Sequence, residues 1–456
     1  MADDVRKDDE EGLDTRRVAA ILDAVKAGDT AALTRLLEPM HAADVADLLE
    51  QISAEDRRQL LAMWSGEIDG DILSEISDSI REEVIESLPR SVVAEAMRDL
   101  DTDDVVDILE DLEEPAQEAI LSALDSADRL AVEQALAYPE YSAGRLMQRE
   151  VVTAPEHWTV GEMIDHMRSV DWLPDQFYHI ILVDPRMKPV SYVTLGRLLS
   201  ARREVALKAI VEESFRTIKA SDAEADVAYL FNQYHLISCP VVDVHGRLVG
   251  VITIDDAMNV LDEEHQEDML RMAGVSDDAN VSDGVFETLQ GRLPWLFVNL
   301  LTANLAAFVI SRFEATISAI VILAVLMPIV ASMGGNAGTQ SLTVAVRALA
   351  TRDLTSSNAL RVVKREAMVG LLNGAVFAVL MGLVGWLVFG WAALGLVLAM
   401  AMIINLLVAA LAGVVVPLTM NRLGADPALA SGTFVTTVTD VVGFFAFLGL
   451  ASWMLL

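Results

Sequence analysis

Long uncharged stretches dominate the C-terminal part of the chain and predict helices that cross a membrane. A helix needs about 20 apolar residues to span a hydrocarbon core of about 30 Å. Uncharged stretches cover residues 293–310, 316–346 and 367–421, and a further apolar stretch, 427–456, contains one charge. As one helix, 367–421 would be about 80 Å long, so we expect it to fold back near 389–395. The pattern therefore predicts an all-α transmembrane domain with five helices.

The charges between these stretches predict the orientation of the chain. The loop between the second and third spans holds five basic residues against Asp353 and Glu366, and Arg422 follows the fourth span. Loops rich in Lys and Arg stay on the cytoplasmic side. The first residues, MADDVRKDDEEG, lack the apolar region of a signal peptide. We therefore expect a multi-pass protein of the cell membrane with its N-terminus in the cytoplasm and its C-terminus outside.

The second predicted span contains an unusual polar run, MGGNAGTQS at 333–341. Glycines in a membrane helix either allow close helix packing or allow the helix to unwind where it lines a cavity. We expect the helix to break here and to line a pore with Gly335, Asn336 and the neighbouring hydroxyl and amide groups. A simple packing seam of small residues is the alternative.

Asp440 is the single charge of the last predicted span and stands at its fourteenth position, near the middle of the membrane. Such residues usually face a cavity, a partner or an ion path. Thr433, Thr436 and Thr437 share its helical face. Neutral oxygens opposite one carboxylate suit a hydrated divalent cation, because Mg²⁺ gives up its waters reluctantly. The alternative is a hydrogen-bonded carboxyl that holds helices together.

The N-terminal part predicts two kinds of soluble domain. Short amphipathic segments between residues 15 and 136 indicate a small all-helical domain of antiparallel hairpins. Further on, VDPRMKPVSYVTLGRLL at 183–199 and VDVHGRLVGVITIDDAM at 242–258 align without gaps. Each reads as two strands followed by a helix start, with a helical stretch upstream. This internal repeat predicts an α/β pair of βαββα units with a cleft between them, and it resembles a tandem pair of cystathionine-β-synthase (CBS) domains.

The charged residues are distributed unevenly between the two halves of the chain. The net charge is −35, and the residues before Arg292 hold 25 Lys and Arg against 63 Asp and Glu. So acidic a surface repels nucleic acid and attracts cations, although salt adaptation or genome composition is an alternative cause of the acidity. The single cysteine, Cys239, excludes an internal disulfide and a cysteine metal cluster. No metalloprotease, phosphate-loop or catalytic-triad pattern stands out, so we expect no enzyme.

Taken in order, these features resemble the MgtE family of magnesium channels. The resemblance rests on GGNAGTQS, RALATRDL (347–354) and GADPALASGTFVTTVTD (424–440) beside the helical domain and the CBS pair. It implies a homodimer in a lipid bilayer, with a pore between spans two and five. It also implies a helical N domain over 1–138, CBS domains over 139–262, a connecting plug helix over 263–291 and the pore domain over 292–456.

The resemblance also implies roles for particular residues. Asp440 would be the pore ligand for hydrated Mg²⁺, with Asn336, Gly335 and Thr436 around it. Carboxylates of the cytoplasmic elements would bind regulatory Mg²⁺ and close the pore, with Asp426 bridging to the connecting helix. The candidate regulatory ligands are Asp103, Asp107, Asp256, Glu264, Glu267, Asp268 and Asp426.

The residues together with this resemblance therefore lead us to expect a Mg²⁺-selective channel that imports magnesium and is gated by cytosolic Mg²⁺. Two other classes stay open: a proton-coupled divalent-cation transporter that uses Asp440 as carrier, and a membrane-anchored CBS signalling protein that does not conduct. The sequence leaves open whether the CBS cleft binds ATP and whether other divalent cations pass.

Overall fold

The computed structural model describes residues 13–110, 112, 114–170, 172–174, 176–277, 279–280, 284–429 and 432–456. The chain divides into two compact units, one up to Asp262 and one from Glu263 onward. Each is described separately.

The first part of the N-terminal unit is helical, as predicted. Several of its short helices begin at local capping signals: Asp14, Asp29 and Ser53 accept hydrogen bonds from backbone N–H groups of the first turns. Their apolar faces form one continuous core that includes Leu48, Leu61 and Ile108. The described helices are α1 Thr15–Ala27, α2 Thr30–Leu37, α3 Ala42–Gln51, α4 Ala54–Trp64, α5 Gly70–Glu75, α6 Asp78–Ser87, α7 Arg90–Asp99, α8 Thr102–Glu110, α9 Glu114–Leu121 and α10 Ser126–Leu136, with a 3₁₀ turn at Ser65–Glu67.

Two βαββα units follow, which confirms the predicted repeat. Each has a three-stranded sheet in which the first strand pairs parallel with the second and the second antiparallel with the third. The first consists of β1 Thr153–Pro155, α11 Val160–Met167, β2 His179–Val183, β3 Pro189–Thr194 and α12 Leu195–Ser200. The second consists of β4 Ile218–Lys219, α13 Glu224–Tyr234, β5 Ser238–Val242, β6 Leu248–Thr253 and α14 Ile254–Ala273, and a 3₁₀ turn at Leu207–Ala209 joins the two.

Equivalent positions of the two repeats meet. His179 opens β2 and Ser238 opens β5, 59 residues later, and the His179 Nδ1 atom hydrogen-bonds to the Ser238 hydroxyl. Both sheets also have a register irregularity at the last residue of the middle strand, Val183 and Val242. Contact between equivalent residues is what a pseudo-twofold pairing of two repeats requires. The border predicted between 262 and 263 lies within α14, which is a single helix.

The second unit is helical and confirms the five predicted spans. Within the described residues, five helices are long and apolar enough to cross a membrane: Thr288–Ser311, Ile322–Ala350, Ala359–Leu387, Ala392–Arg422 and Gly432–Leu455. The helices are α15 Val285–Ser311, α16 Glu314–Ala319, α17 Ile322–Ala350, α18 Ala359–Leu387, α19 Ala392–Arg422 and α20 Gly432–Leu455, with a 3₁₀ turn at Pro427–Leu429. Many large apolar side chains of these helices point outward, as a lipid-facing surface requires.

The predicted break in the second span is wrong, because α17 runs without interruption from Ile322 to Ala350. Its glycines serve close packing instead. A Cβ atom on Gly338 would lie 2.6 Å from the Val435 side chain of α20. A Cβ on Gly413 of α19 would lie 2.6 Å from the Gly338 carbonyl oxygen. The small residues let three helices approach one another, which is the alternative interpretation of the motif.

Candidate ion pathway and carboxylate clusters

A polar face follows one side of α17 through the membrane segment. Its residues recur at intervals of three and four, so they align along the helix. All are exposed in the single chain: Ser332, Asn336, Thr339, Gln340 and Thr343. Polar groups at this depth must face protein or water rather than lipid.

A second set of polar residues lies on the neighbouring helix, α20. Thr433, Thr436, Thr437 and Asp440 are half-buried. A Cβ atom on Gly335 would lie 3.3 Å from the Thr436 side chain. The structure therefore brings the predicted residues Gly335 and Thr436 into contact, with Asn336 exposed beside the first and Asp440 one turn beyond the second.

The threonine hydroxyls use their protons within their own helices. Thr339 donates to the Gly335 carbonyl over 3.0 Å, and Thr436 and Thr437 donate to the Thr433 carbonyl over 3.1 Å and 2.6 Å. The lone pairs of the hydroxyl oxygens then remain as acceptors. Water bound to a cation presents hydrogens, so acceptors of this kind suit a hydrated cation.

The Asp440 carboxylate accepts no hydrogen bond and forms no ion pair with any residue that the structure describes. A carboxyl that only held helices together would require such a partner. The side chain is half-buried, so a route from it to the surface of the chain remains. This geometry fits a carboxylate that faces an ion path.

In the N-terminal unit, Asp103 and Asp104 of α8 lie against Asp256 in the first turn of α14, and we call these three the aspartate cluster. Burial, and then the charge of Asp256, raise the pKa of Asp103 well above its usual range and that of Asp104 to about 7. Burial also raises the pKa of Asp256 to about 7, although Thr253 donates a hydrogen bond to this carboxylate over 2.7 Å, which acts to lower the pKa. The predicted residues Asp103 and Asp256 therefore come together.

Asp107 takes a different partner. It is exposed and forms an ion pair with Arg81 over 3.0 Å. Arg81 is buried and also pairs with Asp78 over 3.3 Å. The i, i+4 spacing that predicted a common role for Asp103 and Asp107 places them near different groups.

A second cluster lies where α14 meets the loop before α20, and we call it the arginine-centred cluster. Arg271 is within ion-pair distance of Glu267 at 2.8 Å and of Asp277 and Asp426 at 2.7 Å each. The predicted residues Glu264 and Asp268 complete the cluster, and burial, followed by neighbouring carboxylates, raises the pKa of both.

The arginine was not among the predicted site residues. The hydrogen bond to Asp277 is the first reason that the pKa of Arg271 lies above its ordinary value. The sequence offers one signal for this role, the i, i+4 spacing of Glu267 and Arg271. Its contact with Asp426 joins residues 155 positions apart, which spacing does not reveal.

A second carboxylate in the membrane unit was also missed. Glu366 belongs to α18 rather than to the predicted loop and is only 8% exposed. Ser341 of α17 donates a hydrogen bond to it over 3.2 Å, and Arg365 over 3.1 Å. It lines two adjoining cavities of about 260 and 180 Å³ that share Ser341 and Val344.

The second βαββα unit contains a small cavity of about 260 Å³. Phe215, Arg216, Leu236 and Cys239 are among its lining residues. The Arg216 guanidinium lies 3.6 Å from the centre of the Tyr234 ring. An aromatic ring beside a guanidinium is a chemistry that suits a nucleotide, by stacking and by contact with phosphate.

Across the described residues, no three or more His, Cys, Asp or Glu side chains are arranged as a metal-ligand group. The oxygen-only donors of the two clusters nevertheless match the preference of hard divalent cations, and Mg²⁺ usually keeps several of its waters. The donor chemistry therefore fits a partly hydrated divalent cation.

Comparison with known families matches each part of the chain. The MgtE family, described as divalent cation transporter, matches residues 327–450. The MgtE intracellular N domain matches 40–141, and the CBS domain matches 143–204 and 207–263.

Individual relatives extend over most of the chain. The magnesium transporter MgtE of Enterococcus faecalis is 34% identical, covering 70% of this chain and 71% of the relative. That of Thermus thermophilus is 33% identical over 73% and 74%. Among solved structures, the cytosolic domain of the Mg²⁺ channel MgtE in complex with ATP matches with a TM-score of 0.50 and 29% identity, covering 53% of this chain and 99% of the other.

Proposed function

We propose, from the premise that this chain belongs to the MgtE family of divalent cation transporters, that it is a Mg²⁺-selective channel. It imports magnesium across the cell membrane and closes when cytosolic Mg²⁺ rises. The relatives in Enterococcus and Thermus are named magnesium transporters, which supports Mg²⁺ as the transported ion.

The observation that carries the proposal is the polar face of α17 and α20. It offers one carboxylate, Asp440, among neutral oxygens such as Asn336 and the threonine hydroxyls. A sparse site of this kind binds a hydrated Mg²⁺ strongly enough to admit it and weakly enough to release it, as conduction requires. Gly335 and Thr436 keep the two helices close at this level.

The pore forms between two copies of the chain. The polar residues of α17 are exposed in the single chain at membrane depth, so a second copy presenting the same face would enclose them around water. Asp440 of each copy then supplies the fixed negative charge. The basic loop between α17 and α18 lies in the cytoplasm together with the N-terminal unit.

Regulation rests on the two clusters. In the aspartate cluster, like charges are held together at a free-energy cost that a bound Mg²⁺ offsets. In the arginine-centred cluster, Glu264, Glu267, Asp268 and Asp426 bind Mg²⁺ in competition with Arg271. Binding closes the channel because the closed state holds these carboxylates closer together than the open state does, so the ion favours it.

ATP binds the second βαββα unit in this proposal. The matching cytosolic domain of a Mg²⁺ channel was solved with ATP. The cavity beside Phe215 and Arg216 offers a ring and a positive charge together.

The experiment that tests conduction is Mg²⁺ flux in liposomes that contain the full chain, measured at imposed membrane potentials with a pH indicator inside. A channel gives a flux that follows the electrochemical gradient of Mg²⁺ and moves no protons. A flux that is insensitive to potential, or that moves protons in fixed proportion, would refute it.

The second candidate is a proton-coupled divalent-cation transporter, and Glu366 is the observation that favours it. A buried carboxylate that borders two cavities in the membrane unit has the properties of a proton carrier. The same flux assay on Glu366→Gln tests this assignment: a transporter coupled through Glu366 loses its proton movement, whereas the proposed channel has none to lose.

A further inference from the structure

Asn405 is a polar residue buried completely in the membrane unit. It lies on α19, and its side chain is 0% exposed. Its amide Nδ2 donates a hydrogen bond to the Val330 carbonyl of α17 over 2.7 Å. That carbonyl belongs to the helix that carries the polar face, so Asn405 is tied to α17 from behind this face.

Two glycines make room for the amide. A Cβ atom on Gly443 of α20 would lie 2.8 Å from Asn405 Oδ1, and one on Gly334 of α17 would overlap Asn405 Nδ2. A side chain at either position would force the amide or one of the helices to shift. Asn405 therefore fits between α17 and α20 only because both helices present a glycine to it.

The other end of the amide has no partner. Asn405 Oδ1 is buried and accepts no hydrogen bond from any residue that the structure describes. An unsatisfied polar atom in an apolar interior is unfavourable, and a leucine of similar size would avoid it. Packing alone therefore does not account for an asparagine at this position, whereas the bond to Val330 requires a donor.

The contacts of Asn405 lie beside the proposed pore residues. Gly334 directly precedes Gly335 and Asn336, and Gly443 follows Asp440 by three residues, about one helical turn. One side chain therefore touches both pore-bearing helices within about one helical turn of Asn336 and Asp440.

We propose that Asn405 is a positioning residue that sets the spacing of α17 and α20 and so the width of the pore at Asp440. The amide acts as a spacer of fixed length between Gly334 and Gly443 and is held in place by its bond to Val330. The inference rests on the proposed function, since it assigns these two helices to the ion path.

Substitutions that change side-chain size at positions 443 and 405 test whether Asn405 acts as a spacer. The full chain is reconstituted in liposomes for these measurements. Gly443→Ala should lower Mg²⁺ flux per folded protein by about tenfold, because the added methyl collides with the amide. Gly449→Ala is the matched control on the same helix: its Cβ would lie 3.9 Å from the nearest atom, and flux should stay unchanged. Combining Gly443→Ala with Asn405→Ala should restore flux to the level of Asn405→Ala alone. A silent Gly443→Ala, or no recovery in the double variant, would overturn the proposal.

Ion selectivity separates positioning from simple packing. Asn405→Ala leaves a gap, and Asn405→Leu removes the donor while keeping the number of side-chain heavy atoms. Both keep glycine at 443, so both keep the proposal testable if Gly443→Ala does not fold. We expect the ratio of Mg²⁺ to Ca²⁺ flux to fall several-fold in both variants at equal amounts of folded protein. An unchanged ratio, with only thermal stability reduced, would show that Asn405 merely fills space.

Asp440→Asn distinguishes failure of this inference from failure of the proposed pore. If that variant conducts Mg²⁺ as the unchanged chain does, the pore assignment itself is wrong. If it does not conduct while the Asn405 variants keep the original ion ratio, only the spacer role is wrong.

Discussion

The two acidic clusters differ in one respect that decides how each responds to a cation. The aspartate cluster brings Asp103, Asp104 and Asp256 together, and the pKa of each is raised by burial and by its neighbours. The arginine-centred cluster contains its own cation, because Arg271 contacts three carboxylates. The first must take its counter-charge from solution, as protons or as Mg²⁺. In the second, Mg²⁺ has to compete with a tethered guanidinium.

Neutralising the aspartate cluster should have the largest effect. In Asp103→Asn combined with Asp256→Asn, we expect Mg²⁺ to lose most of its ability to stabilise the protein, because two of the three charges that attracted it are gone. Thermal unfolding in EDTA and in Mg²⁺ measures this. The rise of several degrees that Mg²⁺ causes in the midpoint of unfolding should nearly vanish in the double variant.

Asp128→Asn is the matched control, since it neutralises an exposed aspartate of the same unit and should leave the Mg²⁺ effect intact. In EDTA the double variant should unfold at a higher temperature than the unchanged chain, because its repulsion is relieved. An undiminished gain from Mg²⁺ would show that the ion stabilises the protein elsewhere.

Removing the tethered cation should have a smaller effect of opposite sign. Arg271→Gln removes a positive charge that now pairs with Glu267, Asp277 and Asp426, so we expect the Mg²⁺ concentration that halves the flux to fall about three- to tenfold. Arg129→Gln removes an exposed pair with Glu133 and should change nothing. If Arg271→Gln needs more Mg²⁺ to close, then the arginine helps to close the channel and does not compete with the ion.

The smallest predicted effect is on pH dependence. The pKa of Asp104 and of Asp256 is raised from an ordinary value near 4 to about 7, so folding favours their protonated forms. Stability from this source is fully present at low pH and is lost as pH rises toward and through 7. In EDTA we therefore expect the midpoint of thermal unfolding to rise by a few degrees from pH 8 to pH 6.

The same titration in Asp103→Asn with Asp256→Asn is the check. That variant should show a flatter profile between pH 8 and pH 6, and saturating Mg²⁺ should flatten the profile of the unchanged chain as well. Parallel profiles in all three samples would assign the pH dependence to other groups.

The sequence predicted the fold well wherever the signal is local. The five spans follow from uncharged length, and the βαββα pair follows from the offset of 59 that also joins His179 to Ser238. Asp440 stood out because a lone charge in an apolar span is conspicuous. These features require no knowledge of which segments meet in three dimensions.

The predictions from the sequence were wrong or incomplete where the role of a residue depends on a partner that is distant along the chain. Asp107 shares a face with Asp103, but Arg81 comes from another helix, 26 residues away. The glycines of α17 suggested a broken helix because the motif does not reveal that Asn405 and Val435 lie against them. Asn405 itself gave no signal, since a neutral amide in a long apolar span has little effect on hydropathy.

The central claim is that Mg²⁺ passes beside Asp440 and that cytosolic Mg²⁺ stops it. The most direct measurement is current in excised membrane patches, with Mg²⁺ applied to the side that bears the N-terminal unit, for the unchanged chain, Asp440→Asn and the control Glu314→Gln. In the unchanged chain and in the control, we predict a Mg²⁺ current that declines as Mg²⁺ on that side rises at matched ionic strength. In Asp440→Asn, we predict that the current falls about a hundredfold, because the fixed charge of the pore is removed. Full current in Asp440→Asn, or current indifferent to Mg²⁺ on that side, would contradict the account.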